Sequence, residues 1–143
     1  MLAEPGYVLD ATVLAEVGRG DNDVIALLQQ FDADNISMIV PALAVTGAAV
    51  EAAATDAQLA VVRGVGRLDA AGFAGITAFD DATHLARMRV EVEALGELWD
   101  AQTALHALLR NCPVLTTDAA RWRDAVREMA GHLTVVEVSQ LDD

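Results

Sequence analysis

Short aliphatic or β-branched runs alternate along the chain with longer stretches in which apolar residues recur every three or four positions. "YVLD" (7–10) predicts a first strand, and the apolar run after it a helix from Ala11 to about Val17. "GRGD" (18–21) is a loop, with Asp21 or Asn22 placed to cap the helix "DVIALLQQF". "ISMIV" (36–40) predicts a buried strand. "PALAVTGAAVEAAA" (41–54) predicts a helix that opens on proline, where the missing N–H costs nothing. "DAQLAVVRGVGRL" (56–68) continues as a weaker helix interrupted by Gly64 and Gly66, and "GITAF" (75–79) predicts a third strand. "DDATHLARMRVEVEAL" (80–95) lines Leu85, Met88, Val92 and Leu95 along one helical face. A helix in "ELWDAQTALHALLRN", the strand "PVLTT", a surface helix in "DAARWRDAVREMA", the strand "LTVVEV" (133–138) and a frayed acidic "SQLDD" complete the chain. Strands separated by one or two helices imply a three-layer α/β/α fold around a mainly parallel sheet of about five strands, in one domain over residues 1–143.

Composition narrows this picture. Apolar residues make up 54% of the chain, yet no uninterrupted apolar run reaches membrane-spanning length, so no membrane association is expected. "MLAEPGYVLD" lacks the basic and long apolar regions of a signal peptide. The lone Cys112 excludes an intrachain disulfide, fits a reducing cytoplasm and reads as a small buried hydrophobe ahead of a strand. Nine arginines, no lysine and 22 acids leave a net charge of −13. Such acidity argues against broad affinity for nucleic-acid backbones. It does not exclude a nucleic-acid enzyme whose metal ions supply the local positive charge, and it suits a partner with a basic surface.

The acids are not randomly placed. In a parallel α/β sheet, ligands collect at the carboxyl ends of the strands. Asp10 ends the first strand and Asp118 follows "PVLTT"; both also stand where a helix cap is expected, Asp118 the better placed of the two. Asp100 shares a face with Ala104 and Ala107, which suggests an inward carboxylate at the same sheet edge. Clustered carboxylates need a neutralising cation or raised pKa values, and oxygen-only ligands suit Mg²⁺ or Mn²⁺.

Taken together, "YVLDATVL", "LWDAQTALHALLRNCPVLTTD" and the closing "LTVVEV" resemble the PIN domain, in particular the VapC-type toxin ribonucleases. The spacing from Asp100 to Asp118 is 118 − 100 = 18, with Thr116 and Thr117 in front of the second acid. The resemblance spans nearly the whole chain. It implies that Asp10, Asp100 and Asp118 are the acidic metal-site positions, with Thr12 and Thr116 as hydroxyls that orient carboxylates or a bound water. It also implies Mg²⁺- or Mn²⁺-dependent hydrolysis of an RNA phosphodiester, an antitoxin protein as partner, and a homodimer.

One position departs from the pattern. The family's further Glu, on the helix after the second strand, falls at Gly47 in "IVPALAVTGAAVEAA". Glu51 stands four residues on, along the same helical face. It either replaces the missing acid or is an ordinary solvated residue, and restoring the acid as Gly47→Glu is expected to tighten metal binding. His84, His106 and His132 lack zinc-ligand spacing, Trp99 and Trp122 read as packing or dimer contacts, and Arg121, Arg123 and Arg127, which follow Asp118 on one helix, read either as a solvated face, the preferred reading, or as contacts to a phosphate backbone near the site. Glu16 is a candidate extension of the acidic pocket. The readings are therefore a PIN-type ribonuclease, or a weakened or inactive PIN-fold protein that works by binding a partner. A receiver-like α/β protein fits poorly, because receivers need a late lysine.

Overall fold

The structure is a computed structural model, and it describes residues 4–141. Five strands form one all-parallel sheet: β1 (Glu4–Leu9), β2 (Ile36–Pro41), β3 (Ala71–Ala74), β4 (Val114–Thr116) and β5 (Val135–Glu137), in the order β3-β2-β1-β4-β5. The helices are α1 (Ala11–Gly18), α2 (Asn22–Ala33), α3 (Ala42–Ala52), α4 (Asp56–Gly66), α5 (Phe79–Glu91), α6 (Leu98–Arg110) and α7 (Ala119–Glu128). The three-layer α/β expectation holds.

Side-chain alternation along the strands divides the core in two. Leu9, Met38, Val40 and Leu115 turn to one face, where α1, α2 and α4 bring Val13, Leu14, Val17, Leu28 and Val62. Val8, Ile39 and Val114 turn to the other, against Ala101, Ala104, Ala107, Trp122, Leu85 and Leu95. Central β1 is buried on both faces, which is why "YVL" is continuously apolar. Gly6 is required there, since a Cβ at that position would collide with the backbone of Ser37 on β2.

Several boundaries differ from those the sequence predicts. The third strand lies at Ala71–Ala74, ahead of "GITAF". Asp81 accepts hydrogen bonds from the backbone N–H groups of Thr77 and Ala78 (both 3.1 Å), drawing residues 76–78 into the approach to α5 and away from the sheet. The weakly β-prone "AGFA" pairs instead, held at its ends by Asp32, which accepts from the Ala70 N–H at 2.8 Å, and by Gln102, which donates to the Ala74 carbonyl at 3.1 Å. Gly64 does not interrupt α4, whose Val62 and Val65 pack into the core. The helix at Leu85 ends at Glu91; Glu128 accepts from the N–H groups of Glu93 and Ala94 (2.8 and 2.9 Å), and this turn delivers Leu95 to the core. The tail closes in a 3-10 turn at Val138–Leu141, while the last two residues of "SQLDD" lie outside the described residues.

Candidate functional site

The carboxyl edge of β1 and β4 is built from helix N-termini. Asp10 is the N-cap of α1, Asp100 lies in the first turn of α6 and Asp118 is the N-cap of α7. A helix N-terminus stabilises negative charge, so this edge suits carboxylates before any ligand is considered. Asp10 is fully buried and Asp100 is 8% exposed, on the small-residue face that also buries Ala104 and Ala107. Asp118 is exposed and makes no capping bond with its side chain. The two capping expectations are thus exchanged. Asp10 caps through Val13 N–H at 3.0 Å, whereas the Asp118 N–H donates at 3.0 Å to the Thr116 hydroxyl and its carboxylate stays free of the helix.

Thr12 and Thr116 orient this edge. The Thr12 hydroxyl donates to Asp10 Oδ1 at 2.6 Å and accepts from Thr117 N–H at 2.9 Å. Its single proton is thereby committed, so in the 3.0 Å contact with Thr116 the Thr116 hydroxyl is the donor. A directed chain runs from Asp118 N–H through Thr116 and Thr12 to Asp10. On the other side, Trp122 Nε1 donates to Asp10 Oδ2 at 2.8 Å. Both oxygens of this buried carboxylate are therefore engaged by donors of the chain itself.

Asp100 and Glu51 meet a single cation. Arg121 Nε donates to Asp100 Oδ2 at 2.9 Å, and both terminal nitrogens of Arg121 form a two-pronged pair with Glu51 at 2.7 Å each. Trp99 Nε1 also donates to Glu51, at 2.6 Å. The Arg121 pairing holds the Glu51 carboxyl below its ordinary range and raises the pKa of Arg121 itself. Burial pushes Asp100 up to about 6, outweighing the guanidinium beside it, and Asp100 Oδ1 is buried with no hydrogen-bond partner. Arg121 reports the pair as favourable and Asp100 reports its own ionised form as unfavourable; the desolvated, unpartnered oxygen reconciles the two.

Position 47 is closed. The indole of Trp99 lies on Gly47, and a Cβ there would stand 2.6 Å from its Cδ1 and Cδ2 and nearer still to Cγ. Gly47→Glu would therefore displace Trp99 before its carboxylate reached the edge. Glu51, one turn along, is the acid of α3 that arrives. Glu16 is taken by Arg19. The sequence offers Arg121 as a solvated residue or a phosphate contact near the site and Trp122 as a packing residue; their bonds to Asp100, Glu51 and Asp10 were not expected. The available signal was an arginine in the first turn of a helix, where the macrodipole disfavours a cation unless acids face it. Gln102, almost fully buried, is a further structural member: it accepts from Leu43 N–H at 2.8 Å while donating to Ala74, tying α3, α6 and β3 together beneath the edge.

No protein-family model matches the chain, and no curated protein matches it. Solved structures do. One is VapBC2 from Rickettsia felis bound to a DNA fragment from their promoter, with a TM-score of 0.62 and 14% identity over 92% of this chain and 97% of that one. Another is PAE2754 from Pyrobaculum aerophilum, with a TM-score of 0.55 and 16% identity over 96% of this chain and 86% of that one. The fold is PIN-like. Within this PIN-like framework, a divalent cation does not fit the acid edge as it stands. Asp10 already accepts from Thr12, Val13 and Trp122, with one acceptor position left on Oδ2, and Asp100 and Glu51 share a guanidinium, so an ion could enter only by displacing Arg121. Among the described residues, no three His, Cys, Asp or Glu side chains form a metal-holding group.

Proposed function

We propose that this chain is a PIN-fold, partner-binding protein in which Arg121 neutralises the acid edge, rather than a metal-dependent ribonuclease. The observation that carries this reading is the Arg121 guanidinium, bonded to both Asp100 and Glu51 where a catalytic cation would be needed. The partner is a protein with a basic surface, suited to a chain of net charge −13. The similarity to a VapBC2 structure supports an antitoxin-like protein as that partner, and the exposed Phe73, Ile76 and Phe79 supply apolar contact area. None of the described helices is long and apolar enough to cross a membrane. The single, unpaired Cys112 supports the cytoplasm as the compartment.

The test is a Mn²⁺ titration of the wild-type protein, followed by thermal melting and by cleavage of a single-stranded RNA. No shift in melting temperature and no cleavage at millimolar Mn²⁺ are expected. Metal-dependent cleavage abolished by Asp10→Asn would overturn the proposal in favour of a second reading, Mg²⁺- or Mn²⁺-dependent hydrolysis of RNA. The unpartnered Asp100 Oδ1 and the arrival of Glu51 beside it favour that second reading. Asp10, Asp100, Asp118 and Glu51 would then hold the ion, which would supply an activated water, and Thr12 and Thr116 would orient the carboxylates.

A further inference from the structure

Three carboxylates of different elements converge on α7: Asp10 accepts from Trp122, and the Arg121 guanidinium bonds both Asp100 and Glu51. Asp100 is buried, its side chain 11% exposed, yet its Oδ1 is closed off from solvent and has no partner. A buried carboxylate oxygen without a donor is costly, and the neighbouring acids add to the cost. The edge is thus under-neutralised even with Arg121 in place. Arg121 itself stands in the first turn of α7, where the dipole opposes it, so the acids and not the helix keep it there. Its fork is fastened at three points, whereas Asp10 is held separately by Thr12, Val13 and Trp122 and keeps its orientation without it.

We propose that Arg121 is a resident counter-ion that excludes divalent cations from this edge, and that removing its charge converts the edge into a cation site at Asp100 and Glu51. The inference rests on the reading of the wild type as metal-free, but it concerns what makes it so. A guanidinium and a divalent ion compete for the same oxygens. Removing the former leaves two carboxylates, one of them buried, with no cation between them. The same deletion destabilises the apo protein, so metal binding and folding become linked in the variant alone.

The experiment measures Mn²⁺ binding by calorimetry and by the electron paramagnetic resonance signal of the free ion, with thermal melting in parallel. The proteins are wild type, Arg121→Gln, Arg121→Lys and the double variant Arg121→Gln/Glu51→Gln. Arg121→Gln is expected to bind at least tenfold more tightly than wild type and to melt higher as Mn²⁺ is added. Arg121→Lys keeps the charge and should stay within about threefold of wild type, and the double variant should lose most of the gain. If Arg121→Gln does not fold alone, refolding in millimolar Mn²⁺ should recover it, and failure to recover overturns the proposal. Equal binding by Arg121→Gln and wild type, or equal gains from Arg121→Lys and Arg121→Gln, also overturn it. Tight binding by the wild type sinks the metal-free reading, whereas no gain in Arg121→Gln sinks only this inference.

Discussion

At the residue scale, Gly47 shows how one missing side chain redirects a site. Trp99 occupies the space a Cβ would need, and from there its Nε1 donates to Glu51. The acid edge is therefore shaped by what glycine admits as much as by the carboxylates. Two effects oppose each other in Gly47→Ala. Alanine gains about 0.5–1 kcal/mol in mid-helix, while a contact well below van der Waals distance against a rigid indole costs about 1–3 kcal/mol. The clash wins, so Gly47→Ala should destabilise the protein in chemical unfolding. In a Trp99→Ala background the obstruction is gone, and the same change should become neutral or stabilising. A stabilised Gly47→Ala single variant would show that the indole does not fill the position. Trp122 has the complementary role: its donor reaches a fully buried carboxylate, whereas that of Trp99 reaches one whose side chain is 34% exposed.

At the element scale, the edge is three helix N-termini meeting two parallel strands, and its acids respond to pH with opposite signs. Asp100, on α6, titrates near 6 in the folded protein against an ordinary 3.8, because burial disfavours its charge. Between about pH 4 and pH 6 the folded state keeps a proton that the unfolded chain has released. Stability from this group is therefore full below about pH 4 and is lost as pH rises through 6, by about 3 kcal/mol at most. Glu51, on α3, is depressed by Arg121; its contribution is present above its ordinary 4.5 and lost as pH falls. Asp100→Asn removes the first response, so unfolding curves from pH 4 to pH 7 should show the variant gaining on wild type and levelling off above pH 6. A variant that loses ground as pH rises would mean that the Arg121 pair outweighs burial. Much of this edge was legible in the chain: strand ends at Asp10 and Asp118, the inward face of Asp100, and Thr12 and Thr116 beside them, with Glu51 near enough to share Arg121 with Asp100. What was not legible depends on contacts between distant residues. Arg121 and Trp122 reach partners 21 to 112 residues away; an arginine in a first helical turn signals facing acids, but no local pattern says which acids they are. The misplaced third strand has a related cause, since β-branched Ile76 and Thr77 look strand-forming until Asp81 takes the neighbouring N–H groups for a helix start.

At the scale of the whole molecule, a charge of −13 on 143 residues is an electrostatic load that the ion pairs offset only in part. Among the described residues, Arg19–Glu16 and Arg87–Glu91 are local pairs on the surface and contribute little, while Arg121 alone joins distant elements. Two consequences of salt then compete. Screening weakens the Arg121 pairs, but they are partly buried, and charges out of solvent are screened less. Screening also relieves repulsion among the surplus acids, which is spread over the surface and fully exposed to the effect. Relief should dominate: the melting temperature is expected to rise by a few degrees between about 20 mM and about 500 mM sodium chloride, as the screening length falls from about 20 Å to about 4 Å. Arg121→Gln shifts the balance to 8 − 22 = −14 and removes the cation at the point of densest acid, so its melting temperature should climb more steeply over the same range. A wild type that melts lower in salt would mean that attraction through Arg121 outweighs the surplus of acids. Parallel slopes for the two proteins would mean that the acid edge is no more strained than the rest of the surface.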